Sequence, residues 1–220
     1  MIQKLGRFLV HFFGTKLGVI IYNLRDAIAC KTLPDFANKP KDLFIDFPRR
    51  FANPDRITIG DNVSLGPGTF LSALTHYPTA SMCYRKDAHP HQKFEPKIVI
   101  GNRVTATADL QIAAVKQIVI EDDVMFASNI HINDSLHGYG NANLPYKYQP
   151  LTQIAPILIK YGCWIGQNTI ILSGVTIGEL TIIGANSLVN CDIPSRCIAV
   201  GSPAKVIKRW NEKKQKWDKA

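Results

Sequence analysis

The fold of this chain is decided by residues 159–189, which read IKYGCW IGQNTI ILSGVT IGELTI IGANSL V in blocks of six. Each block opens on an aliphatic residue, and the position four further along is mostly small or β-branched. The aliphatic positions are Ile159, Ile165, Ile171, Ile177, Ile183 and Val189. Helical spacing is absent here, and so is the strict alternation of a long strand. A period of six predicts short strands joined by turns, with one inward side chain in each unit.

The same phase recurs earlier in the chain, as Ile59-Leu65-Leu71, Ile100-Ala106-Ile112 and Ile120-Phe126-Ile132. Three such units make a triangular coil, and stacked coils form a parallel β-helix that buries a ladder of aliphatic residues. We therefore predict a mainly β fold with its β-helix over residues 51–204. Insertions at 73–97 and 133–156 break the period and should leave the solenoid on one face.

The two ends of the chain differ from this body. The formal net charge is +9, and the excess of Lys and Arg lies in residues 1–50 and 205–220, whereas the body is close to neutral. This distribution does not fit a nucleic-acid groove, which needs its cations along one folded face. We predict a helical or extended segment over 1–50, with an amphipathic helix at 2–24, and a basic helix or tail over 205–220.

Five cysteines are scattered without a CxxC pair, which indicates reduced thiols in a cytoplasmic protein rather than a disulfide framework. The N-terminal helix is basic and rich in aromatic residues. It either packs on the domain or rests on an anionic membrane surface, and residues 1–24 are the candidate for such peripheral contact at the inner face.

Six strings in the body carry a resemblance to a known family. They are DVMFASNI at 123–130, NDSLHG at 133–138, CWIGQN at 163–168, SGVTIG at 173–178, IGANS at 183–187 and GSPAKVI at 201–207. With them the chain resembles the hexapeptide-repeat acyltransferases, in the branch of galactoside, maltose and polysaccharide O-acetyltransferases. The resemblance implies a left-handed β-helix, acetyl-CoA as co-substrate, no metal, and a homotrimer whose sites lie between subunits.

Acetyl transfer to a hydroxyl needs a base near neutral pH, and histidine suits that task. His137 falls where the resembling O-acetyltransferases carry their catalytic histidine, although the first His of the Asp-His-x-His-Gly pattern is missing here. His131 is the rival base or a wall of the site. His76, His89 and His91 in the first insertion are either exposed loop residues or contacts to acceptor or phosphate.

The acetyl-CoA positions and Asp109 follow from the resemblance. Positions matching the acetyl-CoA groove are Trp164, Gly166, Gln167, Ala185, Asn190 and Lys205. Positions proposed for the acceptor are Asp109, Asn129, His131, Asp134 and Tyr139. Asp109 has an alternative role as a corner residue, Trp164 as outward packing at a subunit interface, and Asp134 as a hydrogen-bond partner of its own loop or of His137.

These residues favour an acetyl-CoA-dependent O-acetyltransferase acting on a sugar or a surface-polysaccharide precursor. The nearest alternative is N-acetylation of an amino-sugar nucleotide. Serine O-acetylation is disfavoured because the chain does not show the long helical N-terminal domain of that branch. A zinc carbonic anhydrase on the same helix needs three histidines at ligand spacing, which the chain does not show. A non-catalytic β-helix scaffold is the alternative from another class.

Overall fold

The chain forms two compact units, Met1–Pro34 and Asp35–Ala220, in a computed structural model. The structure describes residues 31–79 and 91–220, together with 14–17, 19–21, 23–24 and 27–28. In the first unit the described residues between 14 and 28 are helical. Of the helix expected over 2–24, residues 2–13, 18 and 22 lie outside the described residues. In the described part of the chain, no helix has the length and apolar character needed to cross a bilayer.

In its described residues, the second unit is built from short β-strands and two 3₁₀ turns, Pro54–Arg56 and Tyr146–Tyr148. The strands described are, in chain order, β1 (Phe44–Ile45), β2 (Arg49–Ala52), β3 (Ile57–Ile59), β4 (Ser64–Leu65), β5 (Thr69–Ala73), β6 (His76–Tyr77), β7 (Gln92–Lys93), β8 (Lys97–Ile100), β9 (Thr105–Ala114), β10 (Gln117–Ile120), β11 (Met125–Asn133), β12 (Leu136–His137), β13 (Leu151–Thr152), β14 (Ile157–Ile159), β15 (Trp164–Ile165), β16 (Ile170–Ile171), β17 (Thr176–Ile177), β18 (Ile182–Ile183), β19 (Leu188–Val189), β20 (Cys197–Gly201), β21 (Ala204–Asn211) and β22 (Lys216–Lys219).

Parallel pairing between successive coils produces three faces. One runs β1-β4-β9-β11-β15-β18-β20, and a second runs β2-β5-β9-β11-β16-β19. The third runs β3-β8-β10-β14-β17. The long strands β9 and β11 belong to two faces because each bends around a corner, at Asp109 and Asn129, where φ is +52° and +59°. The architecture is the left-handed parallel β-helix that the resemblance implies.

The inward ladder is fully buried, as the period of six predicts. Ile159, Ile165 and Ile171 are 0% exposed, and so are the aliphatic residues that open the three blocks after them. The residues four positions later are buried too. The hydroxyls of the Thr and Ser residues among them bond to nearby carbonyls, as Thr169 Oγ1 does to Gly166 O at 2.6 Å. Burying such an aliphatic side chain contributes about 1.5–3 kcal/mol, so the ladder is the main source of stability.

Two boundaries differ from those expected from the sequence. Parallel pairing begins at Phe44, in β1, before the expected start at residue 51, because β1 and β2 pair with β4 and β5. Residues 205–220 form neither the helix nor the tail expected there, because β21 and β22 form an antiparallel hairpin on β20. The open edge of β20 offers backbone partners, and Trp210 packs against Trp217 across the hairpin with ring centroids 5.4 Å apart.

Candidate active site

His137 stands at the base of the second insertion, just after β11 leaves the coil. It lies in β12, where it pairs with Leu151 of β13, and its side chain is exposed. The next residue, Gly138, lies so close to the returning chain that a Cβ there would be 2.4 Å from Pro150 O. The glycine therefore allows the two arms of the insertion to approach closely, which fixes the backbone that carries the histidine.

Tyr77, from β6 in the first insertion, holds the ring of His137. Its hydroxyl lies 3.1 Å from His137 Nδ1 and donates a hydrogen bond to Lys147 O at 2.9 Å. The two rings meet edge to face, with centroids 5.6 Å apart. Tyr77 is buried, and this burial raises the pKa of its phenol above the usual value. The phenol is therefore uncharged at neutral pH.

The described parts of the two insertions pack together around this pair. Gln92 in β7 accepts a hydrogen bond from Leu151 N at 2.7 Å and donates one to Leu151 O at 3.1 Å. Tyr77 also forms a small apolar core with Val115 and Leu151, against which Leu74, Phe94 and Ile154 pack. The first insertion therefore supports the segment that carries His137, and the two loops meet as the solenoid pattern predicts.

Asp134 anchors the foot of the second insertion rather than facing an acceptor. It is 0% exposed, and its carboxylate accepts backbone N–H bonds from Val115, Lys116 and Gln117 at 2.7–2.8 Å. Burial raises the pKa of this carboxyl, and the three N–H donors oppose that rise. The expected contact of Asp134 with an acceptor is absent from this arrangement, since both carboxylate oxygens are engaged by the backbone of the neighbouring coil.

The segment that follows His137 forms a surface pocket of about 650 Å³, and the side chain of His137 itself does not line it. Its walls come from the second insertion and include Gly138, Tyr139, Asn141, Tyr148 and Thr152. The buried Gln149 shapes the pocket, because its amide bonds to Asn141 N, Asn141 O and Leu144 O at 2.8–3.0 Å. Aromatic rings, an amide and a hydroxyl around such a volume suit a polar ligand of sugar size.

Asp109, Asn129 and His131 do not line this pocket and lie at or next to one corner of the coils. Asn129 Nδ2 donates to Asn168 Oδ1 at 2.9 Å, and Asn168 Nδ2 donates to Asn186 Oδ1 at 2.9 Å. The three asparagines have positive φ, as does Asp109 one coil away. His131 Nε2 lies 3.1 Å from Asn129 Oδ1 and donates to it, because an amide oxygen only accepts. The corner therefore occupies Nε2 of the rival histidine.

The residues matched to the acetyl-CoA groove lie on the later coils. Trp164 is 46% exposed and stacks in register between Met125 and Ile182. Gly166 and Ala185 meet on adjacent coils, where a Cβ on the glycine would be 2.7 Å from Ala185 N. Gln167, Asn190 and Lys205 are exposed. Lys205 lies near the start of β21, which also carries the exposed Lys208 and Arg209, and together they give this end a local positive charge.

The histidines of the first insertion have less defined surroundings. His76 Nδ1 lies 3.0 Å from Thr75 Oγ1, and both His76 and His91 are exposed. His89 lies outside the described residues. Among the residues that the structure describes, no group of three His, Cys, Asp or Glu side chains could hold a metal ion.

Sequence reasoning did not find Tyr77 or Gln92. Both lie in aperiodic segments and reach partners about 60 residues away, so neither periodicity nor a local motif indicates their role. The available signal was that Tyr77 and His137 lie in the two insertions, which a solenoid places on one face.

Comparison with known proteins agrees with this architecture. Residues 157–191 match the family described as bacterial transferase hexapeptide (six repeats). A protein of Escherichia coli K12 named "Putative lipopolysaccharide biosynthesis O-acetyl transferase WbbJ" is 28% identical over 183 residues, which cover 80% of this chain and 83% of that protein. Galactoside O-acetyltransferase of the same organism is 27% identical over 196 residues, with 84% of each chain covered.

A solved structure is similar over most of the second unit. A variant of AntD, an N-acyltransferase from Bacillus cereus in complex with dTDP and coenzyme A, matches with a TM-score of 0.61. The match covers 81% of this chain and 86% of that one at 24% identity, and it shows the fold. The chain folds as a β-helix of hexapeptide repeats, and its resemblance to the acyltransferases built on that repeat is confirmed.

Proposed function

We propose that this chain is an acetyl-CoA-dependent O-acetyltransferase that acetylates a hydroxyl of a sugar or of a surface-glycan precursor. The observation that carries the proposal is the exposed ring of His137, which the buried Tyr77 holds at the start of the insertion that also forms the pocket of about 650 Å³. The names of the two Escherichia coli relatives support acetyl transfer to oxygen.

The reaction needs one base, and it needs the donor and the acceptor to be bound together in fixed positions. Acetyl-CoA supplies the acetyl group as a thioester. His137 takes the proton of the acceptor hydroxyl as that oxygen attacks, and a base of this kind accelerates transfer by about 10²–10⁴-fold. Tyr139 and Asn141 line the pocket and would bind the hydroxyls of the acceptor. Because Asp134 lies under the loop, its role in this scheme is to hold the insertion in place.

The exposed residues on the late coils that match the acetyl-CoA groove, here called the donor strip, suit coenzyme A in length and charge. Trp164, Gln167 and Ala185 present exposed surface along adjacent coils, and a long pantetheine arm requires such an extended strip. Lys205, with its basic neighbours in the hairpin, supplies the charge that the phosphates of the donor require. Asn190 is exposed on the same set of late coils and completes the donor set that the resemblance implies.

A homotrimer follows from the resemblance and from exposed apolar residues on the coils. Met125, Trp164, Ile170 and Leu180 are 41–47% exposed on an otherwise well-packed solenoid. Covering them against a neighbouring copy would remove apolar surface from water, and a closed threefold ring satisfies every copy. Each donor strip would then be completed by the adjacent subunit. Size-exclusion chromatography with light scattering measures this directly.

The first unit supports a peripheral role at the cytoplasmic face of a membrane. Six of its described apolar side chains are 45–61% exposed: Leu17, Val19, Ile20, Ile21, Leu24 and Ile28. Lys4, Arg7 and Lys16 add positive charge in the same segment of sequence. Apolar and cationic residues together are what an interfacial helix uses on anionic lipid.

N-acetylation of an amino-sugar nucleotide is the second candidate, and the similarity to AntD favours it. The two reactions leave different products, since an O-acetyl ester is cleaved by hydroxylamine and an N-acetyl amide is not. We would incubate the full chain with acetyl-CoA and a panel of sugars, amino sugars and their nucleotides. Products released by hydroxylamine support the proposal, and resistant products on amino sugars alone would replace it with N-acetylation.

A further inference from the structure

Tyr77 joins three groups that come from distant parts of the chain. Its hydroxyl contacts the ring of His137 in β12 and the carbonyl of Lys147 in the second insertion. Its own ring is anchored in the apolar core with Val115 and Leu151, where it is 3% exposed. The hydroxyl therefore has a fixed position between one ring nitrogen and one backbone oxygen.

Counting donors decides which way these hydrogen bonds run. A carbonyl oxygen only accepts, so the single hydroxyl hydrogen of Tyr77 goes to Lys147 O. The contact between the Tyr77 oxygen and His137 Nδ1 is then a hydrogen bond only if Nδ1 carries the hydrogen. The raised pKa of Tyr77 keeps the phenol protonated, so the hydroxyl retains the hydrogen that this arrangement needs.

We propose that Tyr77 is a positioning residue that fixes His137 in the tautomer with hydrogen on Nδ1 and a free lone pair on Nε2. The inference rests on the proposed function, because a base at His137 acts only through an unprotonated nitrogen. The partner of the second ring nitrogen commonly sets which tautomer a histidine adopts. Here that partner is a neutral phenol delivered by the other insertion.

The proton balance of the reaction is consistent with this assignment. His137 Nε2 takes the acceptor proton while the new oxygen–carbon bond forms and the carbon–sulfur bond of the donor breaks. The ring then carries hydrogens on both nitrogens, and Nδ1 keeps its bond to Tyr77 throughout. The proton leaves from Nε2 to the departing sulfur, which restores the starting tautomer with no rotation of the ring.

The first test reads the tautomer itself and needs no acceptor. Long-range ¹H–¹⁵N correlation spectra of ¹⁵N-labelled full-length protein, at a pH where the ring is neutral, separate protonated from unprotonated ring nitrogens. A His137→Gln spectrum identifies the signals. In the wild type we expect Nδ1 to be protonated and Nε2 unprotonated. In Tyr77→Phe, which keeps the buried ring, we expect the two nitrogen shifts to move toward each other as the tautomers mix.

The second test measures the catalytic consequence. Losing one hydrogen bond of ordinary strength lowers kcat of Tyr77→Phe by about 3- to 10-fold, and KM for acetyl-CoA stays within about twofold. Tyr161→Phe is the matched control, because it removes a phenol at an exposed site outside both insertions. It should change neither the ring spectrum nor kcat.

The outcomes separate the inference from the proposed function. A wild-type His137 with hydrogen on Nε2 would overturn the inference, and so would a Tyr77→Phe variant whose spectrum and kcat both match those of the wild type. A tautomer shift without a fall in kcat beyond that of Tyr161→Phe would overturn the positioning role. If the tautomer is as expected but His137→Gln still transfers acetyl groups at the wild-type rate, the proposed base fails and the role of Tyr77 in fixing the ring stands.

Discussion

Replacing Asp134 with asparagine removes one acceptor oxygen from a buried side chain that receives three backbone N–H groups. The best amide orientation places its oxygen toward Lys116 N and Gln117 N, which both bond to Oδ2 in the native protein. The amide NH₂ then faces Val115 N, so a buried donor loses its acceptor, at a cost of about 1–3 kcal/mol. The other two hydrogen bonds lose their charge assistance, so the total loss in the free energy of unfolding is about 2–4 kcal/mol.

Thermal unfolding followed by circular dichroism measures this loss. For a chain of this size, 2–4 kcal/mol corresponds to a fall in Tm of about 5–15 °C. Asp123→Asn is the control, since Asp123 is a partly exposed partner of Arg103 and surface ion pairs contribute little to stability. An Asp134→Asn protein with a wild-type Tm would refute the structural role and return Asp134 to the list of acceptor contacts.

Three further predictions concern the ladder, the corner and the N-terminal segment. Ile171→Ala should lower the free energy of unfolding by about 2–5 kcal/mol in chemical denaturation, whereas its 41% exposed neighbour Ile170→Ala should cost far less, and equal losses would contradict the inward assignment. Asn168→Ala should lower the free energy of unfolding by about 1–3 kcal/mol, because it breaks the amide hydrogen bonds of Asn168 to the asparagines of the adjacent coils and strains a positive φ. Asn168→Gly should recover part of that loss. An Asn168→Ala protein of unchanged stability would argue against a role for these hydrogen bonds. Flotation with anionic liposomes at low salt should recover the full chain but not a chain lacking residues 1–24, and equal recovery of both would remove the membrane role.

Much of the fold could be predicted because each coil of the β-helix places the same kinds of side chain in the same environments. Ile165 and Ile183 occupy equivalent environments one coil apart, so one buried position after another leaves the same signal in the sequence. The C-terminal hairpin has no repeat. Its strands depend on the open edge of β20 and on the contact between Trp210 and Trp217, which a short basic segment does not reveal.

The candidate site was predictable only in part, for a related reason. His137 could be placed because it follows a repeat strand at a fixed count, whereas Tyr77 reaches it from another insertion through tertiary packing. Asp134 illustrates the opposite case. Its sequence position beside His137 suggested a role in the site, but the chain turns its carboxylate inward to backbone donors of the preceding coil.

The assignment of His137 as the base is tested most directly by acceptor-dependent release of free CoA, measured with a thiol reagent. His137→Ala should lower the rate by about 10²–10⁴-fold, while His131→Ala should retain far more activity because its Nε2 is already engaged by Asn129. Equal acceptor-dependent rates for the wild type and His137→Ala would contradict the account.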